Sequence, residues 1–245
     1  MEDAEIYVEF AYLRDWWSGL LAHHGGKKKA NVEKHEFIRK GIASFPQLRG
    51  VAAALPVVDE PSEFNRKFMG ESGARIKKDI VYPGRWSVKA IDENFEGTEF
   101  QYLCWFKWAF NIKPDLVIVL AGQPPLVVEA KLLSPEAQYP TGSECKIFDK
   151  KELGPDKGRV GQFELQRIMF DHLLQTPCRS VVLKRDALPD GHNCVITWKD
   201  VFDRMDVGDS IPFVKRLISN PSLTIQAGGI AGKPPRLVVP LPSWP

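Results

Sequence analysis

Apolar positions along this chain follow two periods, and the switches between them mark out its elements. In the middle, "DLVIVL" (115–120) and "PLVVEAKLL" (125–133) are β-branched and apolar, and "AGQP" between them supplies the Gly and Pro of a short turn. The pair reads as a hairpin. Helical spacing appears twice. From Asn31, which can cap a helix, Val32, Phe37, Ile38, Ile42 and Phe45 follow a stripe that Pro46 stops. Val160, Phe163, Leu165, Ile168, Met169, His172 and Leu173 repeat it ahead of Pro177. The opening "EIYVEFAYLRDWWSGLLAHH" is apolar and aromatic enough to be packed, while "HHGGKKK" reads as a loop. Residues 46–98, punctuated by Pro and Gly, are assigned short strands and loops, and "GTEFQYLCWFKWAFN" (97–111) fits a buried strand or an amphipathic helix equally well. Farther on, "RSVVLKRD" and "NCVITW" read as strands, and "KDVFDRM" and "DSIPFVKRLIS" as helices. The order helix, hairpin, helix, strand implies an α/β fold, with helices on both faces of a central mixed sheet.

The hairpin carries charges where charges are costly, because removing one from water takes several kcal/mol unless something pairs with it. Side chains alternate along a strand, so Glu129 and Lys131 share one face, while Leu126, Val128, Ala130 and Leu132 share the other. The first is expected to be the chemical face and the second the core face. A turn that pairs Leu120 with Pro124 sets Asp115 opposite Glu129, with side chains within about 5 Å on one face. Two carboxylates that close repel unless a cation lies between them. Mg²⁺ suits such a pair, since it takes oxygen ligands, often only one or two of them protein carboxylates. Lys131 beside it would hold an attacking water or stabilise charge growing on a phosphate. The bland alternative is a solvated edge, with Asp115 capping a strand and Glu129 paired to Lys131. The flanking runs argue against it, since they read as strands buried on both faces. The short motifs alone are weak: Pro-Asp recurs at 155 and 189, and acid-x-Lys at 144–146 and 149–151. Only Pro114-Asp115 and Glu129-Ala130-Lys131 flank one turn.

Composition narrows the class. At 245 residues, 44% apolar and 26% charged, the chain is expected to form one globular domain over 1–245, its core at about 112–184. With no apolar run long enough to span a membrane and no basic leader in "MEDAEIYVEF", it is expected to be cytoplasmic, without a membrane partner. Cys104, Cys145, Cys178 and Cys194 are widely spaced and read as reduced structural thiols; His192 and Cys194 lack the second pair that a structural zinc site needs. Net charge is only +2, but residues 27–40 hold six Lys/Arg against two Glu, and residues 64–89 hold seven against two acids. Such segments can neutralise phosphates or simply be solvated. There is no Gly-x-Ser-x-Gly elbow, and "AGGIAGKPP" departs from a phosphate loop at Ala227 and Pro234.

Pro114-Asp115, Glu129-Ala130-Lys131, the helix after them and the strand "SVVLK" together resemble the PD-(D/E)XK nuclease superfamily, over about residues 112–184. The resemblance implies a restriction-endonuclease-like fold and a Mg²⁺-dependent nuclease, with Mn²⁺ as a substitute. It implies Asp115 and Glu129 as metal ligands, the Ala130 carbonyl as another, Lys131 as the catalytic lysine, and DNA as partner, with a homodimer as an open option. Some branches carry Gln-x-x-x-Tyr on the following helix; here Gln162 and Gln166 stand one turn apart, with Gln in place of Tyr. Gln162 can orient Lys131, contact substrate or be an ordinary surface residue. Many members draw a further acid from an earlier helix, and Glu33, Glu36 and Glu99 all remain open. The segment from Ser134 to Gly158 is expected to cover the substrate groove, with Lys146, Lys150 and Lys151 approaching phosphates. The settings implied are microbial defence or restriction and DNA repair. The alternative is a module of the same fold that binds nucleic acid without cutting it.

Overall fold

The computed structural model describes residues 4–24, 26–56, 60–131, 136–154, 156–184 and 194–204. The contacts group the chain into two units, Met1–Glu129 with Ser134–Ser180, and Ala130–Leu133 with Val181–Pro245. The first unit opens with β1 (Ala4–Val8) and α1 (Tyr12–His24), followed by α2 (Lys27–Ala43), α3 (Arg49–Ala53), α4 (Pro61–Met69), α5 (Glu71–Ala74), α6 (Val88–Asn94) and α7 (Gly97–Ala109). The hairpin β2 (Leu116–Leu120) and β3 (Leu126–Lys131) comes next, then β4 (Gln138–Tyr139), α8 (Cys145–Phe148), β5 (Val160–Gly161) and α9 (Gln162–Ile168). β6 (Arg179–Lys184) runs parallel to β7 (Cys194–Thr197), which leads into α10 (Trp198–Arg204). Thr197 and Asp200 cap that helix reciprocally, the Asp200 carboxylate accepting from the Thr197 amide at 3.0 Å and the Thr197 hydroxyl from the Asp200 amide at 3.0 Å. With β1 antiparallel to β2, and β2 to β3, the chain is α/β with mixed strand pairing.

The hairpin register is the one its turn requires. Leu116 pairs with Val128, Val117 with Val127 and Ile118 with Leu126. Gly122 adopts φ +68°, a conformation in which a side chain is strained, and the Gln123 amide closes the turn on the Leu120 carbonyl at 3.1 Å. The inner face carries Val117 and Val127, both sealed from solvent. On the outer face Ile6 and Val8 pair with Ile118 and Leu116, and they are 52% and 72% exposed.

Three expectations give way, and one open alternative is settled. α2 begins at Lys27, so "KKK" is helix and not loop, and its N-cap is Gly26. Asn31 caps nothing: it is buried, donating to the Lys78 carbonyl at 3.2 Å and accepting from the Ile80 amide at 3.1 Å, while Val32 is exposed. Residues 46–98 form short helices, with no strand among the described residues. Three of their four Pro residues sit at helix starts, at Pro46, Pro61 and Pro83, where the missing N–H costs nothing. Residues 97–109 form a helix buried nearly all round, through Phe100, Leu103, Cys104, Phe106, Lys107, Trp108 and Ala109. Burial on every side is why no period showed there. The "DSIPFVKRLIS" helix lies outside the described residues.

Close approach fixes one glycine of the core. A Cβ at Gly41 on α2 would lie 2.9 Å from Phe106 and 3.1 Å from Leu173. Gly41→Ala gains helix propensity of about 1 kcal/mol but overpacks by about 2 kcal/mol, so a melting temperature lowered by a few degrees is expected. A raised one would show that the ring moves aside freely.

Candidate active site

Glu129 is the centre of the arrangement. It follows Val128 on β3, shares the inner face with Val127 and is only 3% exposed. The expected division of faces is therefore corrected: Glu129 lies on the core side, and the opposite side is the less buried one. What makes a carboxylate tolerable there is α9. Gln162 Nε2 donates to Glu129 Oε1 at 2.6 Å, and Gln166 Nε2 donates to Glu129 Oε2 at 2.7 Å. The two glutamines lie one turn apart and grip one oxygen each. Charge-assisted bonds of this length are the strong kind.

The start of α9 is itself held. The Gln162 amide donates to the Ala137 carbonyl at 2.9 Å, and β4 pairs with β5 through Gln138 with Gly161 and Tyr139 with Val160. Glu136 Oε1 accepts from the Phe163 amide at 2.9 Å, occupying the space a Cβ at Gly161 would need. Glu136 is a positioning residue that the sequence reading missed; it lies 27 residues before Phe163, too far for any local helix-start pattern to signal it.

Asp115 falls one residue before β2, and continuing the register from Leu116 with Val128 sets it across from Glu129. It is exposed. Its backbone is fixed, since the Glu9 amide donates to the Asp115 carbonyl at 2.8 Å and the Phe10 amide to the Pro114 carbonyl at 2.9 Å. Ala130 and Lys131 close β3, both half-buried, and strand alternation returns Lys131 to the face of Glu129.

The donor set fits a hard cation. All of its oxygens are carboxylate or carbonyl, and Gln166, fully buried, keeps an Oε1 without a hydrogen-bond partner. A buried carbonyl in that state calls for a water or an ion. Asp115 and Glu129 supply two carboxylates, and no group of three or more His, Cys, Asp or Glu side chains gathers at a metal-binding spacing among the described residues. Two of the three candidate third acids are engaged elsewhere: Glu33 with His24, and Glu36 with Arg39 and Lys40, where the hydrogen bond from Arg39 lowers the Glu36 pKa. Glu99 opens α7, half-buried.

The segment expected to cover a groove is in large part packed. Phe148 is sealed in the core, Glu144 binds Lys107 and Trp108, and Lys151 pairs with Asp92 and stands over the Phe100 ring. Lys146 and Lys150 are exposed. Other nucleophile chemistry finds no support. All four cysteines are free, but burial pushes the Cys104 thiol well up and the Cys178 thiol to about 11, away from the reactive thiolate. Ser44 Oγ donates to the Gly41 carbonyl at 2.6 Å and lies 2.9 Å from His172 Nδ1.

Compared with known proteins, the chain matches no family model, no curated protein and no solved structure. No helix among the described residues is long and apolar enough to cross a membrane.

Proposed function

We propose that this protein is a Mg²⁺-dependent nuclease of the PD-(D/E)XK kind acting on DNA, with a restriction-endonuclease-like core. The observation that carries the reading is Glu129, sealed on the inner face of the hairpin and gripped through both oxygens by Gln162 and Gln166, in register with Asp115. A purely structural role does not account for a like-charge pair at that register, since burying a carboxylate costs more than an apolar residue would. Asp115, Glu129 and the Ala130 carbonyl would hold Mg²⁺, or Mn²⁺ in its place. When bound, the ion lowers the pKa of a coordinated water and polarises the phosphoryl oxygen. Lys131 orients the attacking water or offsets charge on the phosphate, and the two glutamines keep the Glu129 carboxylate at one angle.

Two carboxylates, with no third His, Cys, Asp or Glu gathered beside them among the described residues, favour a second reading, a module that binds DNA without cutting it. Linear, circular and single-stranded DNA, each incubated with Mg²⁺ or Mn²⁺, separates the two. Cleavage is expected, together with a loss of at least about 100-fold in Lys131→Ala at unchanged Mg²⁺ affinity, the scale on which removing one transition-state donor acts. Binding without cleavage of any of the three substrates would leave the module.

A further inference from the structure

The strand that carries Glu129 and the helix that grips it are tied together a second time. Seven residues on from Glu129, Glu136 reaches the start of α9, where its Oε1 accepts from the Phe163 amide at 2.9 Å. Beside it the Ala137 carbonyl takes the Gln162 amide at 2.9 Å. A helix start leaves four N–H groups without a partner inside the helix, and here the first two are met by residues far back in the chain. Gly161, at the N-cap position, has no side chain with which to meet them.

The same contact accounts for that glycine. Its backbone, at φ −80° and ψ 161°, is open to any residue, so conformation does not call for Gly161. Space does. A Cβ there would lie 2.7 Å from the Glu136 carboxyl carbon and closer still to Oε1. A bare backbone position thus admits a carboxylate from a distance, where Ser or Asp would ordinarily cap the helix locally. Gln162 feels the result most. It is the first residue of α9, so the direction of its side chain follows the cap, whereas Gln166 stands one turn further in and is sealed in the core.

We propose that Glu136, admitted by Gly161, is a positioning residue for Glu129: it fixes the first turn of α9 in the place from which Gln162 holds the Glu129 carboxylate. Through that grip it sets the affinity for the divalent ion, a consequence that rests on the metal-site reading of Glu129. With the first turn frayed, the carboxylate loses one of the two amides that fix its plane, and partners of that kind govern how well a ligand meets its metal. The Glu136 carboxylate itself acts only through the helix.

Three quantities are compared in the wild type, Glu136→Ala, Glu136→Gln, Gly161→Ala and Glu136→Ala/Gly161→Ser: the side-chain NH₂ resonances of Gln162 without metal, amide exchange at Phe163, and Mg²⁺ affinity by calorimetry. Circular dichroism checks that each variant folds. Losing a cap shifts a local equilibrium about fivefold, so Glu136→Ala is expected to speed Phe163 exchange and weaken Mg²⁺ binding by about that factor, and to move the Gln162 resonances toward those of an unbonded glutamine. Gly161→Ala is expected to copy the loss by displacing the carboxylate, although Gly→Ala at an open backbone position ordinarily stabilises. Glu136→Gln keeps an acceptor oxygen and is expected to stay near wild type. Glu136→Ala/Gly161→Ser caps α9 from its own N-cap and is expected to recover. Unmoved Gln162 resonances in Glu136→Ala would overturn the role, whatever happens to Mg²⁺. So would a Glu136→Gln variant that loses Mg²⁺ as deeply as Glu136→Ala while Phe163 exchange stays native, since Glu136 would then be a ligand. If Gln162 responds and recovers as expected but the wild type binds no Mg²⁺, the nuclease reading fails alone.

Discussion

Glu129→Gln is expected to give a folded protein that has lost Mg²⁺ binding at this site and cleaves DNA at least about 1,000-fold more slowly, the scale on which a central electrostatic group acts. The new amide offers one acceptor oxygen and one NH₂ to the two glutamines that hold the native carboxylate. Gln166 then needs only to flip, presenting the Oε1 that is buried without a partner in the native arrangement. Stability is therefore nearly conserved while the charge is gone. Glu129→Ala is a different experiment. It strands the NH₂ groups of Gln162 and Gln166 against a void, at about 1–3 kcal/mol for each unsatisfied donor. An alanine scan would report a dead enzyme and an unstable one together. Calorimetric Mg²⁺ titration, urea unfolding and a cleavage time course on Glu129→Gln separate these; wild-type turnover in that variant would remove Glu129 from the chemistry.

Glu144→Ala is expected to destabilise the first unit by about 3 kcal/mol without touching the proposed site. Lys107 is 7% exposed, and its ammonium is met by Glu144 Oε1 at 3.0 Å; Trp108 Nε1 donates to Glu144 Oε2 at 3.0 Å. Removing the acid leaves a buried cation and an indole N–H unpartnered, and breaking a buried pair from one side costs about 3–5 kcal/mol. The lower figure is apt because the Glu144 side chain retains 28% of its exposure. Lys107→Met with Glu144→Leu removes both charges together and is expected to recover most of the loss. Urea midpoints of the single and double variants decide it: equal midpoints for Glu144→Ala and wild type would mean that the pair holds nothing.

The hairpin was legible because its apolar runs, turn length and Gly122 specify one register, and register fixes which residues face each other. Which face of that hairpin is interior was not legible. Alternation separates two sets of side chains but does not say where the rest of the chain will pack, and here α9 brings its glutamines to the side of Glu129. Residues 46–98 were misread because helices of four to nine residues are too short for a period to emerge, and prolines that open them look like breakers. Asn31 misled for a related reason. An asparagine before an apolar stripe is a good cap locally, but its actual partners lie 47 and 49 residues away.

Asn31 of α2 and Asn65 of α4 together bind the backbone of Ile76, Lys78, Asp79, Ile80 and Val81, which restrains its motion. The Ile80 and Val81 amides are both engaged by side chains and buried, so their hydrogen exchange is tied to opening of α2 and α4, although neither residue belongs to a helix or strand. Irregular backbone here is stiff backbone. A segment that sequence alone would take for a floppy connector is held from two helices and has little chain entropy left to lose.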